Sequence, residues 1–260
     1  MISAGAGTSL DKDLDSLPTI GASKMRLFQV LEDGNASMSD VEQIIASDPA
    51  MAAKVIKLAN SSFYRHSRQS VGIHDAISMI GFDMVKCITL SIAVMDAFGS
   101  AEKAAADLWR HAYAVALVAF EFGRTRNEKE WLFTGGLLHD LGRMVLLAKR
   151  AETYLPLMEN GFPEPAREAE AFGLDHTQIG AEVARKWHFP EQVVDIILNH
   201  HAPKSRLTAL VFVAAQRAWQ ASPIEIDDNL ATLLEDDCAE FSARLEAVFE
   251  RHQSSVALLV

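Results

Sequence analysis

Apolar residues recur at spacings of three and four along most of this chain, and that period admits helices and little else. The clearest stripe is Leu108, His111, Ala112, Val115, Val118, Ala119 and Phe122, all on one helix face. Met51, Val55, Ile56, Leu58 and Ala59 repeat the pattern, as do Val193, Ile196, Ile197 and His200. Only 8 Pro and 14 Gly punctuate 260 residues, so helices are seldom interrupted. The expected fold is all-α, with two helical lobes meeting at Gly99-Ser100. Its expected parts are a flexible tail over 1–16, an N-terminal helical lobe over 17–100, a second helical lobe over 101–220 and a helical extension over 221–260.

Local signals place the helix ends. Ser39 with Glu42 three residues on reads as a capping box, and so does Asp175 with Gln178. Pro49 and Pro190 stand where helices tolerate proline, at their starts. A helix is expected from Ser23 to Leu31, another from Met84 to Phe98, and one continuous helix from Trp131 to Ala148. Trp109, Trp131, Trp187 and Trp219 read as core anchors.

Polar chemistry interrupts the apolar stripes at a few points. His139-Asp140 ends the apolar run Gly135-Gly136-Leu137-Leu138, where an unpartnered imidazole and carboxylate would be costly to desolvate. His111 lies on a buried stripe, His176 opens a helix behind Asp175, and His200-His201 closes another. Neutral imidazoles plus one carboxylate suit Fe, Mn, Zn or Ni better than Ca or Mg. On a continuous helix His139 and Asp140 would diverge by about 100°, so both could reach one ion only near the helix surface, or serve two ions with Asp140 between them.

Charge and composition exclude some classes. A net charge of −11 argues against nucleic acid as the main partner, because phosphate binding needs a basic surface. A small phosphorylated ligand in a local pocket stays compatible with it. No run approaches the ~20 apolar residues of a membrane span, and Cys87 and Cys238 form no paired motif. The expected setting is cytoplasmic, with no membrane partner.

The order His111, His139-Asp140, His176, His200-His201 resembles the ligand order of the HD phosphohydrolase superfamily, and of its HD-GYP branch in particular. A second resemblance spans more of the chain. Leu17-Pro18, Ile44-Ile45-Ala46-Ser47-Asp48-Pro49-Ala50, Leu58-Ala59-Asn60-Ser61 and Ala76-Ile77-Ser78-Met79-Ile80-Gly81 are similar to the N-terminal signature of HDOD (HD-related output) domains. Gly136-Leu137-Leu138-His139-Asp140-Leu141-Gly142, Gly173-Leu174-Asp175-His176, Trp187 and His200-His201 resemble its second half.

The resemblance implies a bacterial signalling module whose second lobe is an HD-like helical core. Members work by interaction with a signalling partner and have degraded catalytic sites. It implies His111, His139, Asp140, His176, His200 and His201 as metal ligands. Gln216 stands where active HD enzymes carry a closing Asp, and Arg143 where HD-GYP enzymes carry a lysine. The Gly-Tyr-Pro element is replaced by Ala202-Pro203-Lys204. Two divalent ions would set four positive charges against the single matched carboxylate, so one ion is expected rather than two.

Three readings follow. The favoured one is a non-catalytic or weakly catalytic signalling module that retains a metal. The second is a metal-dependent phosphohydrolase acting on a nucleotide or cyclic dinucleotide, with Asp140 and Arg143 catalytic and Arg143 neutralising phosphate. The third is a helical scaffold whose histidines bond only one another.

Overall fold

The structure, a computed structural model, describes residues 37–60, 72–82, 85, 88–89, 92, 103–159, 161–219, 224–236 and 238–259. Among them every regular element is a helix. They divide into two compact units, one within 100–247 and one formed from 19–99 with 248–260. The division falls at Ala247/Val248, within the segment expected to form the C-terminal extension.

The smaller unit holds α1 (Met38–Ala46), α2 (Pro49–Ala59) and α3 (Ile73–Ile80), which pack on one another. Their buried residues are Val41 and Ile45, then Met51, Val55 and Ala59, then Ala76, Ile77 and Ile80, whereas Ile56 of the expected stripe is half-buried. The cap of α1 sits two residues earlier than the sequence suggests. Ser37 Oγ accepts the Asp40 N–H at 3.3 Å while Asp40 Oδ2 accepts the Ser37 N–H at 2.9 Å. The overlapping Ser37/Asp40 pair thus closes the box that Ser39 and Glu42 also spell. Asn60 ends α2 by donating its amide to the Ile56 carbonyl at 3.1 Å. The expected tail over 1–16, the helix from Ser23 to Leu31 and Cys87 lie outside the described residues. So does most of Met84–Phe98, of which residues 85, 88, 89 and 92 are helical.

The larger unit contains α4 (Lys103–Glu121), α5 (Arg126–Leu138), α6 (Leu141–Leu157), α7 (Pro165–Phe172), α8 (His176–Lys186), α9 (Glu191–Asn199), α10 (Arg206–Trp219) and α11 (Asp228–Leu234). A further helix, α12 (Cys238–Leu259), begins in this unit. Helix α4 packs on α5 and α10, α5 on α9, α9 on α8, and α8 on α6. The core of α4 is Leu108, Ala112, Val115, Val118, Ala119 and Phe122, the stripe read from sequence. Each fully buried Leu or Val contributes about 1.5–3 kcal/mol of hydrophobic stabilisation.

Two glycines let backbones meet. A Cβ on Gly136 of α5 would lie 2.9 Å from Ala116 Cα on α4. A Cβ on Gly142, in the first turn of α6, would run into the carbonyl oxygen of His176, with His176 Cα only 2.7 Å away. The N-terminal turns of α6 and α8 therefore touch main chain to main chain, a contact no larger residue permits. Gly142→Ala is expected to destabilise the protein by ~1–3 kcal/mol through overpacking, read as a lower denaturant midpoint. An unchanged midpoint would contradict this contact.

Candidate metal centre

Four helix segments bring six side chains together. His111 comes from the middle of α4, His139 and Asp140 from the junction of α5 and α6, His176 from the first turn of α8, and His200 and His201 from the end of α9. The continuous helix expected from Trp131 to Ala148 is broken at that junction. Helix α5 stops at Leu138, and Asp140 takes φ −99°, ψ 18° before α6 starts at Leu141. The break removes the divergence of a regular helix, and both His139 and Asp140 turn inward. His111, His139, Asp140, His176 and His200 are all buried, and His201 is the exposed member of the set.

Hydrogen bonds fix how three of the rings are used. His139 caps the C-terminus of α5, and its Nδ1–H donates to the Gly136 carbonyl at 2.7 Å. His200 caps α9 in the same way, donating to the Ile197 carbonyl at 2.8 Å. Carbonyl oxygens only accept, so Nδ1 carries the proton in both rings and Nε2 of the neutral ring holds a lone pair. His176 donates Nδ1–H to Glu168 Oε2, with the same consequence.

The lone pairs face one another. His176 Nε2 lies 3.4 Å from His200 Nε2 and 3.3 Å from Asp140 Oδ1, which is 3.9 Å from His200 Nε2. None of these three atoms can donate to another while the rings are neutral. His139 Nε2 sits 3.3 Å from Asp140 Oδ2, again acceptor against acceptor. The remaining contacts, His111 Nε2 to His139 Nε2 at 3.2 Å and His201 Nε2 to His176 Nε2 at 3.1 Å, can be hydrogen bonds, because nothing fixes the tautomers of His111 and His201.

The charged groups form a second layer. Arg143 is buried, and its donors meet internal acceptors. Its Nε donates to Asp140 Oδ1 at 2.8 Å, and its Nη1 reaches the Pro163 carbonyl at 3.0 Å and Glu168 Oε1 at 3.1 Å. The Phe162 ring covers the guanidinium at 5.3 Å. Burial would raise the Asp140 carboxyl, but Arg143 and then His139 outweigh it and hold it well below the usual carboxylate range. Burial likewise opposes ionisation of Glu168, and the hydrogen bond from His176 brings it below its ordinary value. Burial, followed by the unfavourable pairing of a second proton with neighbouring His139, holds His111 and His200 well below the ordinary imidazole value. Loss of water and then His176 push His201 down to about 4.

Glu168 and Tyr154 are the members that sequence reading misses. Glu168 is fully buried on α7, and Tyr154 Oη donates to its Oε1 at 2.7 Å. The one available signal was an acid eight residues before His176. Trp219 is also corrected: it is 49% exposed rather than a core anchor, and it stacks on His111 at 3.9 Å between ring centroids. Trp109 is buried, while Trp131 and Trp187 are half-buried. Gln216 lies one turn before Trp219 on α10 and is half-buried. Among the histidines outside the set, His74 and His188 are exposed, His252 is buried, and His66 lies outside the described residues.

The donor set fits a transition-metal ion. Imidazole nitrogens held about 2.0–2.1 Å from a tetrahedral ion stand roughly 3.3–3.4 Å apart, matching the 3.4 Å between His176 and His200. Two sets of ligand atoms, from His176, His200 and His201 and from His111, His139 and Asp140, each gather within 4.8 Å. A cation would turn facing lone pairs from a repulsive arrangement into a coordinating one.

Residues 17–203 match the HDOD domain. The chain belongs to the HDOD family. An uncharacterised protein of Treponema pallidum (strain Nichols) is 23% identical over 200 residues, which make up 74% of this HDOD chain and 39% of that protein. The chain thus spans well under half of that relative's length. A Shewanella amazonensis SB2B structure named a candidate phosphohydrolase aligns with TM-score 0.79 and 22% identity, covering 97% of this chain and 98% of that one. A Marinobacter aquaeolei VT8 structure named a candidate signal transduction protein aligns with TM-score 0.77 and 21% identity, covering 100% and 61%. At these identities the likeness is one of fold, the helical HDOD fold.

The depressed imidazoles set a pH dependence. Unfolded histidines take up protons near pH ~6.5, whereas His111 and His200 in the fold refuse them. Their contribution is fully present above that value and is lost as pH falls, by about 1.4 kcal/mol per pH unit for each ring kept neutral. Asp140 and Glu168 act in the same direction at lower pH, since their folded values are depressed. Metal-free protein is expected to show a falling denaturation midpoint from pH 7 to pH 5, with a shallower slope in His200→Gln. Equal slopes in the two proteins would contradict the assignment.

Proposed function

We propose that this HDOD chain is a signal-transduction module that acts through a protein partner and holds a transition-metal ion in its histidine centre, with hydrolysis slow or absent. The triangle of Asp140 Oδ1, His176 Nε2 and His200 Nε2 carries the reading, because three buried acceptors converge and none can donate to another, even though Oδ1 also accepts from Arg143 Nε. His139 and His111 extend the set on one side and His201 on the other. The donors suit Fe, Mn, Zn or Ni. Asp140 and Glu168 bring two negative charges and Arg143 one positive, which favours one ion over two. Burial of five of the six ligands favours a regulatory ion, since catalytic sites keep a position open to water and substrate. The net charge of −11 disfavours nucleic acid as a partner.

A second reading, a phosphohydrolase acting on a small phosphorylated ligand, draws on one observation. Asp140 turns Oδ2 toward His139 and Oδ1 toward His176, the layout of a carboxylate shared between two ions. It is consistent with the name of the Shewanella protein. Bound metal would supply Lewis-acid polarisation of a phosphoryl oxygen. Asp140, anchored by Arg143, would orient the ligand set, and exposed His201 would border the approach.

Protein purified without chelator or metal-affinity resin, from cells supplied with Fe and Mn, is expected to carry ~1 transition-metal ion per chain. Asp140→Ala should lose it, and the loaded protein should turn over phosphodiesters weakly at most. Robust turnover abolished by Asp140→Ala would replace the first reading with the second. Absence of metal would sink both and leave the scaffold, in which His139→Ala costs stability without any chelator sensitivity.

A further inference from the structure

We infer that Glu168 is the positioning residue for His176: its carboxylate decides which His176 nitrogen carries the proton, and so sets the affinity of the metal centre. This deepens the proposed function and rests on its metal-binding reading.

The first support is the completeness of the Glu168 site. A buried carboxylate is costly unless its lone pairs are met, and both Glu168 oxygens are. Oε2 accepts the ring Nδ1–H of His176 and also its backbone N–H at 2.9 Å. Oε1 accepts the Tyr154 hydroxyl at 2.7 Å and lies 3.1 Å from Arg143 Nη1. Holding one residue by both ring and main chain fixes the imidazole against the start of α8. Glu168 is the buried charged residue of α7, whose Arg167 and Glu170 are exposed. The protein thus places this carboxylate where only the histidine and its two supporters can use it.

The second support is which histidine receives it. His139 and His200 are oriented by neutral carbonyls, whereas His176 has a carboxylate. A carboxylate behind an imidazole fixes its tautomer and ring orientation more strongly than a carbonyl does. His176 is also the hub of the centre, with Nε2 at 3.1 Å from His201, 3.3 Å from Asp140 and 3.4 Å from His200. Arg143 lies between Glu168 and Asp140 and lets both stay ionised in one buried site. A change at Glu168 is therefore felt at the ring that touches the most ligands.

The test uses Zn(II) as probe and the full chain stripped of metal. Calorimetric titration of Glu168→Gln, which keeps shape but loses charge and one acceptor oxygen, should show a 10–100-fold weaker affinity than wild type. An affinity within twofold of wild type would overturn the inference. Should Glu168→Gln fail to fold, the imidazole ¹⁵N shifts of metal-free wild type decide. Nδ1 protonated and Nε2 bare at His176 supports the role, and the opposite tautomer overturns it. Wild type that takes up no Zn(II) brings down the metal-binding reading instead, while the tautomer still reports on the Glu168–His176 bond.

Discussion

The centre depends on one arrangement used twice, a histidine at a helix C-terminus whose Nδ1–H satisfies a carbonyl of the last turn. Helix ends leave carbonyls without intrahelical partners, and His139 meets that of Gly136 as His200 meets that of Ile197. Each bond settles a backbone need and a side-chain orientation together. With Nδ1 spent on the helix end, Nε2 has to point away from it, and both rings aim at Asp140. The folding requirement of two helices thereby aims the ligand atoms.

Around those rings the charges are arranged in series. Asp140 binds Arg143, Arg143 reaches Glu168, and Glu168 holds His176, which returns to Asp140. Each buried charge has an opposite charge or several donors beside it, the condition under which burial is tolerated. The contact of Gly142 with His176 closes the same loop through the main chain, fixing α6 against α8. Any change in the spacing of these two helices would separate His176 from Asp140.

The sequence carries the helical class and the core stripes because period alone dictates them. It also carries the start of α8, since Asp175 and Gln178 form the capping box their spacing spells. It hides the break at His139-Asp140, because Leu137-Leu138 and the apolar start of α6 read as one run. Glu168 is hidden for another reason. It lies among exposed charges on a short helix, and its burial depends on Tyr154 and Arg143 from another helix. Trp219 is hidden as well, because aromatic size suggests a core, whereas its half-exposed ring lies against His111 from α4 and against Phe162. Local pattern reveals elements and caps, and partners distant in the chain decide which polar groups they enclose.

X-ray absorption at the metal edge of the loaded protein tests most directly whether the facing lone pairs share an ion. Nitrogen and oxygen scatterers are expected at about 2.0–2.2 Å, with outer-shell features of several imidazoles that diminish in His176→Gln. A spectrum lacking imidazole scattering, or one unchanged by that substitution, would contradict the shared ion.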